Sequence, residues 1–249
     1  MRRSAFLGLA AALALIAAAC SGGGRARSGG SSPTTAPTTT APAVTTTTST
    51  ARCADAAPRA NSVRRTHVSA DVDGDGVSDD VAVSGTGSDN APGPWFLAID
   101  LGPNGRREAP ITDAAPDDPS QNIRVLGVAR VGGAPVVFVA VGAGASATIV
   151  GLFQLVGCDL VRVVNIDGAV VTFTVGGAVT HLDGLRCDTT GMTVLSARSA
   201  DGIAYSGTTT DATVTNGQVV ESPPVTEPSI DPPALDAYGH LDCPGVEPV

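Results

Sequence analysis

Between two apolar stretches the chain runs Asp71-Val72-Asp73-Gly74-Asp75-Gly76-Val77-Ser78-Asp79. Taking Asp71 as the first position, carboxylates fall at positions one, three, five and nine. A glycine at six permits a sharp turn, and the backbone carbonyl of Val77 stands at seven. A hard cation with six or seven oxygen ligands needs this donor set, and calcium suits it best. Four negative side chains held this close repel one another, so a divalent ion would relieve both the repulsion and the loop's conformational freedom. The candidate metal ligands are therefore the side chains of Asp71, Asp73, Asp75 and Asp79 and the carbonyl of Val77, and the candidate cofactor is a structural Ca2+. An EF-hand is excluded, because its bidentate Glu at position twelve would fall at Ala82 and no flanking segment has a helical period.

Other chemistry is harder to find. There is no Gly-x-Ser-x-Gly elbow and no His-Glu-x-x-His motif, and His67, His181 and His240 are widely spaced without a local partner signature. Gly142-Ala143-Gly144-Ala145-Ser146-Ala147 is followed by the β-branched Thr148-Ile149-Val150 and not by a helix, so it is a turn and not a phosphate cradle. His67 reads as an exposed strand position and not as a ligand. Trp95 and Phe96 read as core, not as a sugar-stacking surface, in a chain that is only 3% aromatic. Asp117 and Asp118 read as solvated loop acids. No catalytic residue is assigned; the alternative is a cell-envelope hydrolase whose active site carries no recognisable motif.

The loop must be held by strands. From Thr66 onward, short Val-rich runs alternate with Gly, Asp, Asn and Pro clusters. Strands are predicted over 81–83, 95–101, 123–128, 135–141, 148–155, 160–164, 170–175 and 192–197, with turns at Gly102-Pro103-Asn104-Gly105, Val156-Gly157 and Asn216-Gly217. No later segment keeps a 3.6-residue apolar period, so the fold class is all-β. Three related stretches start near Val68, Leu126 and Gly184; Ala70 to Ala129 is 59 positions and Ala129 to Arg186 is 57. That period predicts three degenerate four-stranded meander repeats, propeller-like or closed into a compact barrel or sandwich.

Asp-x-Asp-Gly-Asp-Gly-x-x-Asp between short strands, at a spacing near 60, resembles the FG-GAP or VCBS repeats of integrin-like β-propellers, which also occur in bacterial lipoproteins. The resemblance covers Val68 to Val83 and implies calcium ligation by Asp71, Asp73, Asp75, Asp79 and the Val77 carbonyl. The second stretch has Arg130 and Gly132 where acids would be, and the third has Arg186, Cys187 and Asp188, so neither is expected to bind an ion. Arg130 and a disulfide at Cys187 are read as structural substitutes.

Residues 1–19 read as a lipoprotein signal peptide: Met1-Arg2-Arg3, an apolar run, then Ala17-Ala18-Ala19-Cys20, which resembles a lipobox with Cys20 as the lipidated residue. Ordinary cleavage to a secreted protein is the alternative. Residues 20–52 form a Ser/Thr/Pro/Gly-rich linker, expected to be disordered because its composition cannot bury enough surface to fold. The all-β repeat domain spans 53–221, and 222–249 form a Pro-rich tail in which helix and central strand are not expected. Four further cysteines in an exported chain, without Cys-x-x-Cys spacing, read as two disulfides with three possible pairings. The favoured one is Cys53 with Cys243, pinning the tail to the start, and Cys158 with Cys187. Lysine is absent and all 15 cations are arginine, a composition of high-GC, actinobacterial type. From Cys53 onward 24 acids face ten arginines, a formal charge of −14 that argues against nucleic acid. The expected protein is a monomer, anchored to the membrane by lipid and facing outside the cytoplasm, with an envelope protein or glycan as ligand.

Overall fold

β1 (Val63–Ala70), β2 (Asp79–Gly85), β3 (Trp95–Asp100) and β4 (Arg106–Ile111) pair in chain order as an antiparallel four-stranded sheet. The computed structural model describes residues 53–87, 93–113 and 122–249, all within the unit Ser49–Val249. The expected signal peptide (1–19) and linker (20–52), Cys20 among them, and Asp117 and Asp118 lie outside the described residues. Strand periodicity explains the sheet's two faces: Val81, Val83, Trp95, Leu97 and Ile99 point into a core, while Phe96 points outward beneath the Arg59 guanidinium, 3.6 Å from its ring. Trp95 and Phe96 are both buried and present no stacking surface.

The second sheet begins with β5 (Arg124–Val131), β6 (Ala134–Ala143), β7 (Ala147–Val156) and β8 (Asp159–Arg162). β7 has ten residues and β8 only four, so β8 covers one half of β7 and the free half, Ala147–Gly151, pairs with β9 (Thr172–Ala178). From β9 the sheet continues through β10 (His181–Cys187), β11 (Met192–Arg198), β12 (Ser206–Thr215) and β13 (Gln218–Glu221). The all-β expectation holds. The three stretches do not form three separate blades, because β9 joins the second to the third in one sheet. Among the described residues neither sheet closes into a barrel.

β6 carries the architecture. Val137, Val139 and Val141 face the first sheet, and Val136, Phe138 and Ala140 face a second core with Leu185, Met192, Ala212 and Val214. Its unbroken apolar run is what burial on both faces demands.

The tail differs from its expectation. β14 (Val225–Glu227) pairs with β12, and a one-turn helix, α1 (Pro232–Leu235), leads to β15 (Leu241–Asp242), which runs parallel to β10. Pro232 and Pro233 start that helix, where a missing N–H removes no hydrogen bond. Ile230 and Tyr238 fill a third core with Leu195, Ala197 and Tyr205. Burial, and then the bond that Tyr238 donates to Glu227 Oε2 (3.0 Å), push the phenol up to about 12, so it remains a donor at neutral pH. The chain then crosses to β5, where the Val128 N–H donates to the Gly245 carbonyl (3.3 Å) and the Glu247 N–H to the Leu126 carbonyl (2.8 Å). A Cβ at Gly127 would lie 2.2 Å from the Gly245 oxygen, so this crossing requires glycine.

The cysteine pairing also differs. Cys53 joins Cys158, and Cys187 joins Cys243. Pairing of Leu185 with Leu241 and Arg186 with Asp242 brings the next residue of each strand together, with the Cys187 and Cys243 Cα atoms 4.6 Å apart. At the other end, the Ala56 N–H donates to the Arg106 carbonyl at the start of β4, and β4 packs on β8, so Cys53 lies beside the β7–β8 turn that holds Cys158. The tail is tied back by a disulfide, but to β10 and not to the start of the domain.

Candidate metal centre

The acidic loop connects β1 to β2. Because Ala70 pairs with Asp79, Asp71 leaves one strand where Asp79 enters the other, and the two carboxylates meet at the loop's base. Val72, only 3% exposed, pins the loop into the first core between the two leading aspartates. Gly74 and Gly76 adopt φ of +82° and +86° with open space where a Cβ would be, so they are required for conformation and not for room.

Backbone N–H groups orient the carboxylates. Gly74 and Gly76 donate to Asp71 Oδ1 (2.7 Å) and Oδ2 (3.2 Å), Asp75 donates to Asp73 Oδ1 (3.1 Å), and Val72 donates to Asp79 Oδ2 (2.8 Å). Asp71, Asp73 and Asp79 each offer an oxygen within 4.8 Å of the others. Asp75 stands outside that group, its Oδ1 accepting from the Val77 N–H (2.7 Å), and the Val77 side chain is exposed. Three of the four expected carboxylates are thus brought together.

Asp79 is the buried member. Burial pushes its carboxyl up from 3.8, the negative charges of Asp73 and Asp75 add to the rise, and the Val72 N–H opposes it. A buried anion facing two others is the setting in which a cation binds with most gain, and three hard, convergent carboxylates fit a divalent metal ion. A cavity of about 540 Å³ opens beside the loop, lined by Asp73, Asp75, Asn104 and Leu155 among others.

Two contacts from elsewhere in the chain reach the loop. Asn104, in the 3-10 turn Gly102–Asn104 between β3 and β4, donates its amide to Asp73 Oδ2 (3.0 Å). Arg130, near the end of β5, places its guanidinium 3.8 Å from Asp71 Oδ2. Asn104 had signalled only a turn. Arg130, expected to replace absent acids in its own stretch, instead lies against the first loop. The third stretch uses Asp188 differently. Hydrogen bonds from the Thr190 hydroxyl and N–H, and from the Gly191 N–H, hold its carboxyl below the usual value and fasten the β10–β11 turn. His67 is exposed on β1, as expected, and His240 Nε2 meets Asp236 Oδ1 at 3.1 Å.

The chain matches no protein-family model, no curated protein and no solved structure.

Proposed function

We propose that this protein is a lipid-anchored, extracytoplasmic calcium-binding β protein, with a binding or structural role at the cell envelope and no catalytic activity. The observation that carries the reading is the convergence of Asp71, Asp73 and Asp79 at the base of one strand connection. Calcium would be held by these side chains, with Asp75 and the Val77 carbonyl as the remaining expected donors, and it would fix the loop at the β1–β2 end of the first sheet. The likeness of the loop to FG-GAP and VCBS repeats supports a degenerate repeat origin. So does the occurrence of β1–β4, β5–β8 and β10–β13 as three successive sets of four strands. The protein is read as a monomer whose ligand is an envelope protein or glycan. The reading places membrane attachment at Cys20 because Ala17-Ala18-Ala19-Cys20 resembles a lipobox; no described helix is long and apolar enough to cross a membrane. Cys20→Ala should abolish incorporation of labelled fatty acid; persistent label would remove that part of the reading.

The calcium reading is tested by thermal melting. Extracellular calcium modules bind at about 0.1 to 1 mM, so about 1 mM calcium should stabilise the wild type by about 1 kcal/mol, roughly 2–4 °C, relative to EDTA. Asp79→Asn should lose this response. In EDTA it should melt no lower than wild type, because its amide oxygen still accepts from Val72 while the disfavoured buried charge is gone. A wild type indifferent to calcium, or an Asp79→Asn variant that still responds, would overturn the reading.

A further inference from the structure

We infer that Arg130 is a built-in counter-ion of the acidic loop, which occupies Asp71 in the absence of metal and weakens the site's hold on calcium. The inference rests on the calcium reading above and concerns how that site is set.

Each of the three convergent carboxylates has a partner outside its own residue, but the partners differ in charge. Asp79 accepts from a backbone N–H and Asp73 from the Asn104 amide, both neutral donors. Among the described residues, of these three only Asp71 faces a full positive charge, the Arg130 guanidinium at 3.8 Å. That guanidinium is not free to swing away at random. Its other terminal nitrogen donates to the Gly133 carbonyl (3.2 Å) across the tight β5–β6 turn, which directs the side chain toward the loop. Arg130 belongs to the second sheet and the loop to the first, so the contact crosses between sheets at the point where the metal would sit.

The energetic consequences for stability and for affinity have different sizes. Arg130 is 56% exposed and Asp71 28%, so the ion pair itself contributes little to folding. A divalent cation drawn to Asp71 has the same sign as this guanidinium and twice its charge, so the two repel, and the cation must also displace the guanidinium from the oxygen. Removing the positive charge should therefore tighten calcium binding while leaving the ion-free fold almost unchanged. Because the arginine is half exposed, the effect should fade as salt shortens the Debye length.

Calcium titration by isothermal calorimetry of the full chain, with Arg130→Gln and Arg130→Lys beside wild type, tests this. Arg130→Gln should bind calcium about five- to tenfold more tightly at low salt. Arg130→Lys should stay near wild type, the gain should shrink at about 0.5 M NaCl, and melting in EDTA should confirm that all three are equally folded. If wild type binds calcium and Arg130→Gln binds it no better, the inference fails while the calcium site stands. If none of the three binds calcium, the site and the inference fall together.

Discussion

Replacing both Cys187 and Cys243 with serine should lower the unfolding free energy by about 4 kcal/mol, the value a chain-entropy treatment gives for a closed loop of this size. The two residues are separated by 56 positions, and both are buried within the second core. The loss should extend beyond the crosslink. This disulfide fastens the segment that carries Leu241 and Val246 into the second core and follows Ile230 and Tyr238 in the third. Urea unfolding should therefore show a lower midpoint, and limited proteolysis should cut first in the stretch after Glu221. Peptide mapping of the non-reduced wild type should recover the Cys53 peptide joined to that of Cys158, and the Cys187 peptide joined to that of Cys243. Recovery of Cys53 joined to Cys243 would refute this account of the tail.

That pairing is not encoded in the local sequence. Four cysteines allow three pairings, and the choice depends on which distant strands become neighbours, which local residue types do not encode. Strands and turns were different: Val-rich runs over 135–141 and 148–155 and the Asn216-Gly217 turn carry their signal within a few residues, and β6, β7 and the β12–β13 connection appear where expected. Proline misled in the tail. It forbids a helix interior but not a helix start, so a single turn beginning Pro232-Pro233 was open to the chain all along. The repeat period suggested three separate units, yet a short β8 left half of β7 unpaired, and that exposed edge recruited β9.

The candidate metal centre divides in the same way. Aspartate spacing identified the loop, because the ligands of such a site come from consecutive odd positions of one short turn. Which carboxylates converge depends on the backbone: the strand pair Ala70–Asp79 forces Asp71 and Asp79 together, while Asp75, whose Oδ1 accepts from the Val77 N–H, stands outside the group. Asn104 and Arg130 lie 31 and 59 positions from their aspartate partners and have no local signature for the role. Only the fold brings them there, by setting the turn between β3 and β4 and the end of β5 beside the loop.

Phe138→Ala should cost about 3–5 kcal/mol, through lost burial and the cavity left at a fully enclosed site. The more informative outcome is how that loss is distributed. Phe138 faces the second core, while its neighbours Val137 and Val139 face the first, which also contains Trp95, the single tryptophan. If β6 makes the two cores one cooperative body, damage on the Phe138 face must destabilise the packing around Trp95 on the other side of the strand. Urea transitions followed by tryptophan fluorescence and by far-UV circular dichroism should then shift together and remain superimposable. A variant whose fluorescence midpoint stays at the wild-type value while the dichroism midpoint falls would show that the first sheet, with its acidic loop, folds independently of the rest. In that case a cation bound at the loop could stabilise only the first sheet. Coincident transitions mean that it stabilises the whole body through the strand shared by both cores.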